Sequence, residues 1–187
     1  MKERPVIFNG EMVRAILDGR KTQTRRAISD RHLHLIDVAS QVGECYPLES
    51  GIDHANSQSY YREYCPFGQV GDRLWVRETF GDCGNRLVYR ADTEDGAASQ
   101  VKRWVPSIHM PREACRILLE ITTVRVERLN DISDGDAIRE GCSAAAMRSG
   151  DCVADVFACL WSSIYGADSW RANPWVWVIE FRRVGGA

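Results

Sequence analysis

The run from Arg116 to Leu129 sets the tightest limit on how this chain folds. Ile117, Leu119, Ile121, Val124 and Val126 recur along it at strand spacing, which predicts one long strand, bent midway. A second alternating run, Trp175 to Val184, follows the turn at Asn173-Pro174. A third enters through the turn at Gly71-Asp72, where Leu74, Val76 and Thr79 alternate with Arg73, Trp75 and Arg77 as far as Phe80. Another short strand fits Arg86 to Arg90. Val105-Pro106 and Met110-Pro111 bracket an extended segment that holds His109.

Three helices fall irregularly among these strands. Asn9 is an N-cap for a stripe of Met12, Val13, Ile16 and Leu17, and Gly19 is its stop, so a short helix is expected over roughly residues 10–18. Ser133-x-x-Asp136 resembles a capping box for a helix towards Glu140, with Gly141 as its stop. Asp151 caps the strongest pattern, in which Val153, Val156, Phe157, Leu160, Trp161 and Ile164 share one face before Gly166. Strands and helices in this order predict an α+β fold with a mainly antiparallel, barrel-like sheet and about three helices around it. The 187 residues suit one domain spanning 1–187. Residues 29–68 lose all periodicity and read as an insertion, and 91–111 as a second long loop. There is no internal repeat, no Gly-x-Gly-x-x-Gly and no Walker A sequence, which disfavours those ways of cradling nucleotide phosphates.

Composition excludes several classes. At 44% hydrophobic and 27% charged, the chain can bury a core and is not a disordered solvating segment. No stretch approaches the roughly 20 apolar residues that span a bilayer. The opening Met1-Lys2-Glu3-Arg4-Pro5 lacks the apolar run of a signal peptide, so a cytoplasmic, non-membrane protein is expected. The seven cysteines form no Cys-x-x-Cys, and His32, His34 and His54 with Cys45 and Cys65 match no common zinc spacing. The thiols are read as buried or idle, and no metal is expected. A net charge of −2 leaves no strongly basic footprint. Any RNA contact falls to local clusters: Arg20-Lys21 with Arg25-Arg26, Lys102-Arg103, and Arg182-Arg183. Such clusters are usually solvated faces and alone carry little weight. No protein partner is evident.

Three segments, taken in order, resemble the ASCH family, a branch of the PUA-like fold. The first is Gly19-Arg20-Lys21-Thr22-Gln23-Thr24-Arg25-Arg26, after the first helix. The second is Gly71-Asp72-Arg73-Leu74-Trp75-Val76-Arg77-Glu78, similar to the family's Gly-Asp turn into a strand. The third is Ile121 to Gly141, a strand feeding a short helix that ends in Glu140-Gly141, with Val178-Ile179-Glu180-Phe181 closing the pattern. The insertions make the chain look more like the longer family members of phages and prophages than the compact bacterial ones. The resemblance implies a PUA-like β-barrel that holds a nucleoside, RNA or DNA.

Some compact members of the family deacetylate N(4)-acetylcytidine with a Lys, a Thr three residues later and a Glu on the later short helix. Those positions here carry Lys21, Thr24 and Glu140. The resemblance therefore implies an amidohydrolase of N-acylated cytidine or a related modified nucleoside, needing neither metal nor organic cofactor. The chemistry is coherent: a Thr hydroxyl needs a base to become a nucleophile, and a Lys of lowered pKa is such a base. Were residues 21–26 a straight strand, Lys21 and Thr24 would face opposite ways, so the chain has to turn between them. Arg26, Trp75, Glu78 and His109 are the candidates for substrate contact: a cation, a stacking ring, an acceptor for a base amino group, and a proton shuttle or RNA contact. Each has a plainer alternative, such as Glu78 pairing with a nearby cation or His109 serving as a hydrogen-bonded loop residue. Trp161 belongs to the core stripe, and Trp177 ranks behind Trp75 for stacking. Two rival readings stay open. One is a non-catalytic module that binds RNA or a modified base. The other is a ribonuclease with Lys21, Arg26 and His109 around the phosphate.

Overall fold

The computed structural model describes residues 1–92, 94–143, 145 and 151–185, with side chains for all of these except 52 and 53. The long alternating run forms β7 (Leu118–Arg128) and the terminal run forms β8 (Trp175–Arg183). They pair antiparallel from Leu119↔Arg183 to Arg128↔Trp175. The register shifts between Ile121 and Thr123, so the expected bend is a β-bulge. With β1 (Glu3–Ile7), β2 (Gln23–Ala27) and β3 (Arg73–Arg77), they make a sheet in the order β1-β3-β7-β8-β2. Only β1 and β3 run parallel within it. The run expected to continue through Phe80 breaks after Arg77. The following β4 (Phe80–Asp82), β5 (Leu87–Tyr89) and β6 (Trp104–Val105) form a separate sheet in the order β5-β4-β6.

The fold is α+β, as expected, but the barrel is not closed. No ladder joins β1 to β2, which stay as the two edges of an open sheet. A side chain spans the seam instead: Arg26 Nη2 donates to the Ile7 carbonyl at 2.7 Å. The Arg26 guanidinium also lies 5.3 Å from the Phe8 ring centroid.

The expected helices are α1 (Gly10–Leu17), α5 (Asp134–Arg139) and α6 (Val153–Tyr165). Helix α6 is capped at Cys152 rather than Asp151, and the Cys152 N–H donates to Asp155 Oδ2 at 2.8 Å. A short α7 (Ala167–Arg171) follows. Within 29–68 lie α2 (Asp30–Gln41), α3 (Ile52–Asn56) and α4 (Gln58–Tyr61). The stripe that forms α2, Leu33, Ile36 and Ala39, is thin and interleaved with charged residues, which hides its period. It is nonetheless anchored, because Ile36 and Tyr61 are buried in the main core.

Strand β8 supplies both faces of the sheet. Trp177, Ile179 and Phe181 enter the core with Phe8, Val13, Leu74 and Leu119. Val176 and Val178 enter a second cluster with Leu129, Phe157 and Trp161, beneath α5 and α6. Beside Val178 on that second face the register puts Arg25 and Arg125, with Gln23 next to Glu180. One face of β2 thus carries Gln23 and Arg25 into a charged network, and the other carries Thr24 and Arg26 beside Ile179 and Trp177. Ile36→Ala is expected to cost about 2–5 kcal/mol by emptying a core position, read as a lower urea midpoint with the slope retained. A change near zero would show that α2 contributes nothing to the core.

Candidate active site at the open edge of the sheet

Lys21 sits between α1 and β2. Gly19 ends α1 at φ +76°, the Lys21 N–H donates to the Ala15 carbonyl at 2.9 Å, and the Thr22 N–H donates to the Arg139 carbonyl at 2.9 Å. Lys21 therefore precedes the strand, and strand alternation does not dictate where its side chain goes. Its Nζ donates to both the carbonyl oxygen and Oε2 of Glu140, each at 2.8 Å. Neither side chain meets bulk water: their exposures are 0% and 3%. Glu140 is held there by the end of α5. Gly141 takes φ +96°, and a Cβ on it would lie 3.0 Å from Ala15 Cβ and 3.3 Å from Lys21 Cβ. Glycine suits that position, because a side chain there would be strained by the positive φ and would crowd Ala15 and Lys21.

A second shell of charge surrounds the pair. Arg25, also buried, reaches Glu127 at 2.9 Å, Asp136 at 3.2 Å and Glu140 at 3.4 Å. Asp136 also accepts from Arg139 at 3.1 Å, and Arg125 holds Glu180 and Glu127. Ser133 does cap α5, accepting from the Asp136 N–H at 3.1 Å, but the Asp136 carboxylate turns to the arginines instead of completing a capping box. Burial pushes Asp136 up, and Arg25, Arg125 and Arg139 together outweigh it and hold it below the usual carboxylate range. Burial is also the largest influence on Lys21. It drives the ammonium pKa below its ordinary value, although Glu140 pulls the other way. Nearby, burial pushes the Cys142 thiol up to about 11, which keeps it protonated and a poor nucleophile at neutral pH.

Beside this pair a cavity of about 230 Å³ lies along the free edge of β2. Thr24, Arg26 and Glu140 form its polar side, and Phe157, Trp161 and Tyr165 of α6 are part of its apolar wall. It falls below the roughly 300–1,000 Å³ of pockets for drug-sized ligands, which suits one planar ring with a small substituent. Thr24 and Arg26 project from the same face of β2, with Arg25 on the other. A second, more open cavity shares Asn9, Met12, Glu140 and Leu160 with the first and leads towards Arg14 and Arg20.

The structure thus gathers Lys21, Thr24, Arg26 and Glu140. Trp75, Glu78 and His109 do not line this cavity. Trp75 is half-buried under the Arg77 guanidinium, 5.4 Å from its ring centroid. Buried Glu78 forms a fork with Arg116, at 2.8 and 3.0 Å, and Arg116 in turn holds Asp92. His109 is exposed at the end of a 3-10 turn, Ser107–His109. Trp177 is completely buried. Sequence reasoning missed the aromatic wall of α6, whose stripe has the same period whether it packs on a core or on a ligand. It also missed Asp136, which reads locally as a helix cap. Among the described residues, no group of three or more His, Cys, Asp or Glu side chains is arranged to hold a metal ion, and no helix is long and apolar enough to cross a membrane.

No family model and no curated protein matches the chain. Among solved structures it is similar to a protein from Enterococcus faecalis V583 described by the family-model DUF984. Identity is 10% and the TM-score is 0.46, over 100% of this chain and 83% of that one. It is also similar to an ASCH domain from Lactobacillus crispatus JV V101, with 15% identity and a TM-score of 0.43, over 98% and 80% of the two chains. With so few identical residues, the roles of side chains rest on this chain's own geometry.

Glu140→Gln leaves the buried Lys21 ammonium without its counter-charge, and is expected to cost about 3–5 kcal/mol near neutral pH. The sign with pH follows from linkage. Without Glu140, the folded-state pKa of Lys21 falls further below its unfolded value of about 10.4. Between those two values the unfolded chain binds more protons, so stability rises with pH. Denaturant titrations from pH 6 to 10 should show the deficit shrinking upward, and a deficit independent of pH would refute a charged Lys21 in the variant.

Proposed function

We propose that this chain is an ASCH-type amidohydrolase that removes the acyl group from an N-acylated cytidine or a related modified nucleoside. The observation that carries the reading is a buried Lys–Glu pair set against a small cavity that also holds a threonine hydroxyl. Burial drives the Lys21 ammonium below its ordinary pKa, and as a free amine Lys21 is a base. Lys21 then accepts the Thr24 hydroxyl proton as Thr24 Oγ1 attacks the acyl carbon. The Glu140 carboxylate relays that proton from the Lys21 ammonium to the departing exocyclic nitrogen as the carbon–nitrogen bond breaks. Lys21 is left as the free amine, and an acyl ester sits on Thr24. Water hydrolyses the ester, Thr24 recovers a proton, and the carboxylic acid leaves.

The apolar wall of α6 suits the face of a pyrimidine, and Arg26 suits a ring carbonyl. One observation favours a second reading, binding of a modified base or RNA without chemistry. Both hydrogen bonds of Lys21 Nζ go to Glu140, and neither goes to Thr24. Incubation with N(4)-acetylcytidine separates the two. Hydrolysis should release cytidine and acetate, and Thr24→Ala should lower the rate by roughly 10⁴-fold or more with the melting temperature kept. RNA retained in a salt-dependent way, with no product from the acylated nucleoside at high enzyme concentration, would replace the first reading by the second.

A further inference from the structure

An acyl transfer needs donors aimed at the oxygen that gains charge, and Lys21, Thr24 and Glu140 supply none for that role. The free edge of β2 and the cap of α1 do. The Ile28 N–H donates to the Trp175 carbonyl and the Phe181 N–H to the Thr22 carbonyl, each at 2.9 Å. In an antiparallel ladder of this register, Thr22, Thr24, Arg26 and Ile28 turn their backbone groups towards β8. Gln23, Arg25 and Ala27 turn theirs outward, along an edge that no strand among the described residues covers. The Arg25 N–H is thus an edge donor one residue after Thr24, and both residues line the cavity.

Asn9 is the second donor. It lines both adjoining cavities. Its Oδ1 accepts from the Met12 N–H at 2.9 Å as the cap of α1. That bond fixes which end of the amide is which. With Oδ1 committed to the helix, Nδ2 and its two protons are left for the cavity side.

We infer that the Arg25 backbone N–H and Asn9 Nδ2 form the site for the acyl carbonyl oxygen, and that Asn9 is a catalytic residue as well as a helix cap. The inference rests on the amidohydrolase reading. As the bond from Thr24 Oγ1 to the acyl carbon forms, the carbonyl π pair moves onto oxygen, where these two donors stabilise it. When the carbon–nitrogen bond breaks, the pair returns and the carbonyl re-forms. The two donors exchange no protons.

The test separates cap from donor in the full chain. Asn9→Ser and Asn9→Asp keep a cap acceptor for the Met12 N–H but lose the amide protons. Both should keep the melting temperature of the wild type. Asn9→Ser should lower kcat on N(4)-acetylcytidine by about 10²–10³-fold, with KM changed little. Asn9→Asp should fall further, because it sets a carboxylate against the developing charge. Wild-type kcat in Asn9→Ser, with Thr24→Ala inactive, overturns the inference and leaves the amidohydrolase reading standing. If the wild type releases no cytidine, that reading has failed, and calorimetry decides the carbonyl site alone. Asn9→Ser should then weaken N(4)-acetylcytidine about 3- to 10-fold and leave cytidine, which lacks the acyl oxygen, unchanged. Equal effects on the two ligands, no effect, or no binding of N(4)-acetylcytidine by the wild type overturns it.

Discussion

The contact between Lys21 Nζ and Glu140 Oε2 is the constraint on which the rest of the site depends. A lone ammonium or carboxylate at such depth would be driven to neutrality, and together they can stay. Holding them together uses distant parts of the chain. The α1–β2 turn brings the lysine, and the end of α5, with a glycine at positive φ, brings the glutamate. Arg25, Asp136, Glu127 and Arg125 then spread the charge outward until it reaches partly exposed carboxylates. The second face of β2 is committed to that network, so the first face is left to present Thr24 and Arg26 to the cavity.

The site also depends on the sheet staying open. A closed ladder between β1 and β2 would consume the outward-facing backbone groups of both edges. Leaving them apart creates a cleft that α6 covers with aromatic rings, where an apolar wall faces polar main chain. An apolar wall opposite a few polar groups is the usual build of a small-molecule pocket.

Much of this was legible in the sequence, and what was not has physical causes. The long strand β7 announced itself through alternation broken only at its bulge, and β8 through a run of apolar residues buried on both faces. Strands β1 and β2 did not, because an edge strand of five residues is set by its neighbours more than by its own pattern. Helix α2 hid because its buried stripe is only Leu33, Ile36 and Ala39. Lys21, Thr24 and Glu140 were legible through a motif, and their burial in one place is a tertiary fact that spacing alone does not contain. Glu78 carried a reading of base contact, and its position against Arg116 and Asp92 belongs to a different part of the fold. Asn9 read as a helix cap, which it is. That the same residue lines a cavity depends on where α1 docks.

The bridge from Arg26 to Ile7 gives the cleft two walls of unequal stiffness. On one side stand packed rings, Trp161 against Tyr165 with centroids 4.4 Å apart, in a helix that cannot yield without repacking the second core cluster. On the other side is a single guanidinium across the mouth, whose release costs about 1.5–3 kcal/mol for its charged hydrogen bond, and its contact with the Phe8 ring besides. Selection by size is therefore lopsided. A ligand too thick for the aromatic wall is refused, and one too long is admitted once Arg26 swings aside. A long substituent can extend out past β1 or into the adjoining cavity towards Arg14 and Arg20.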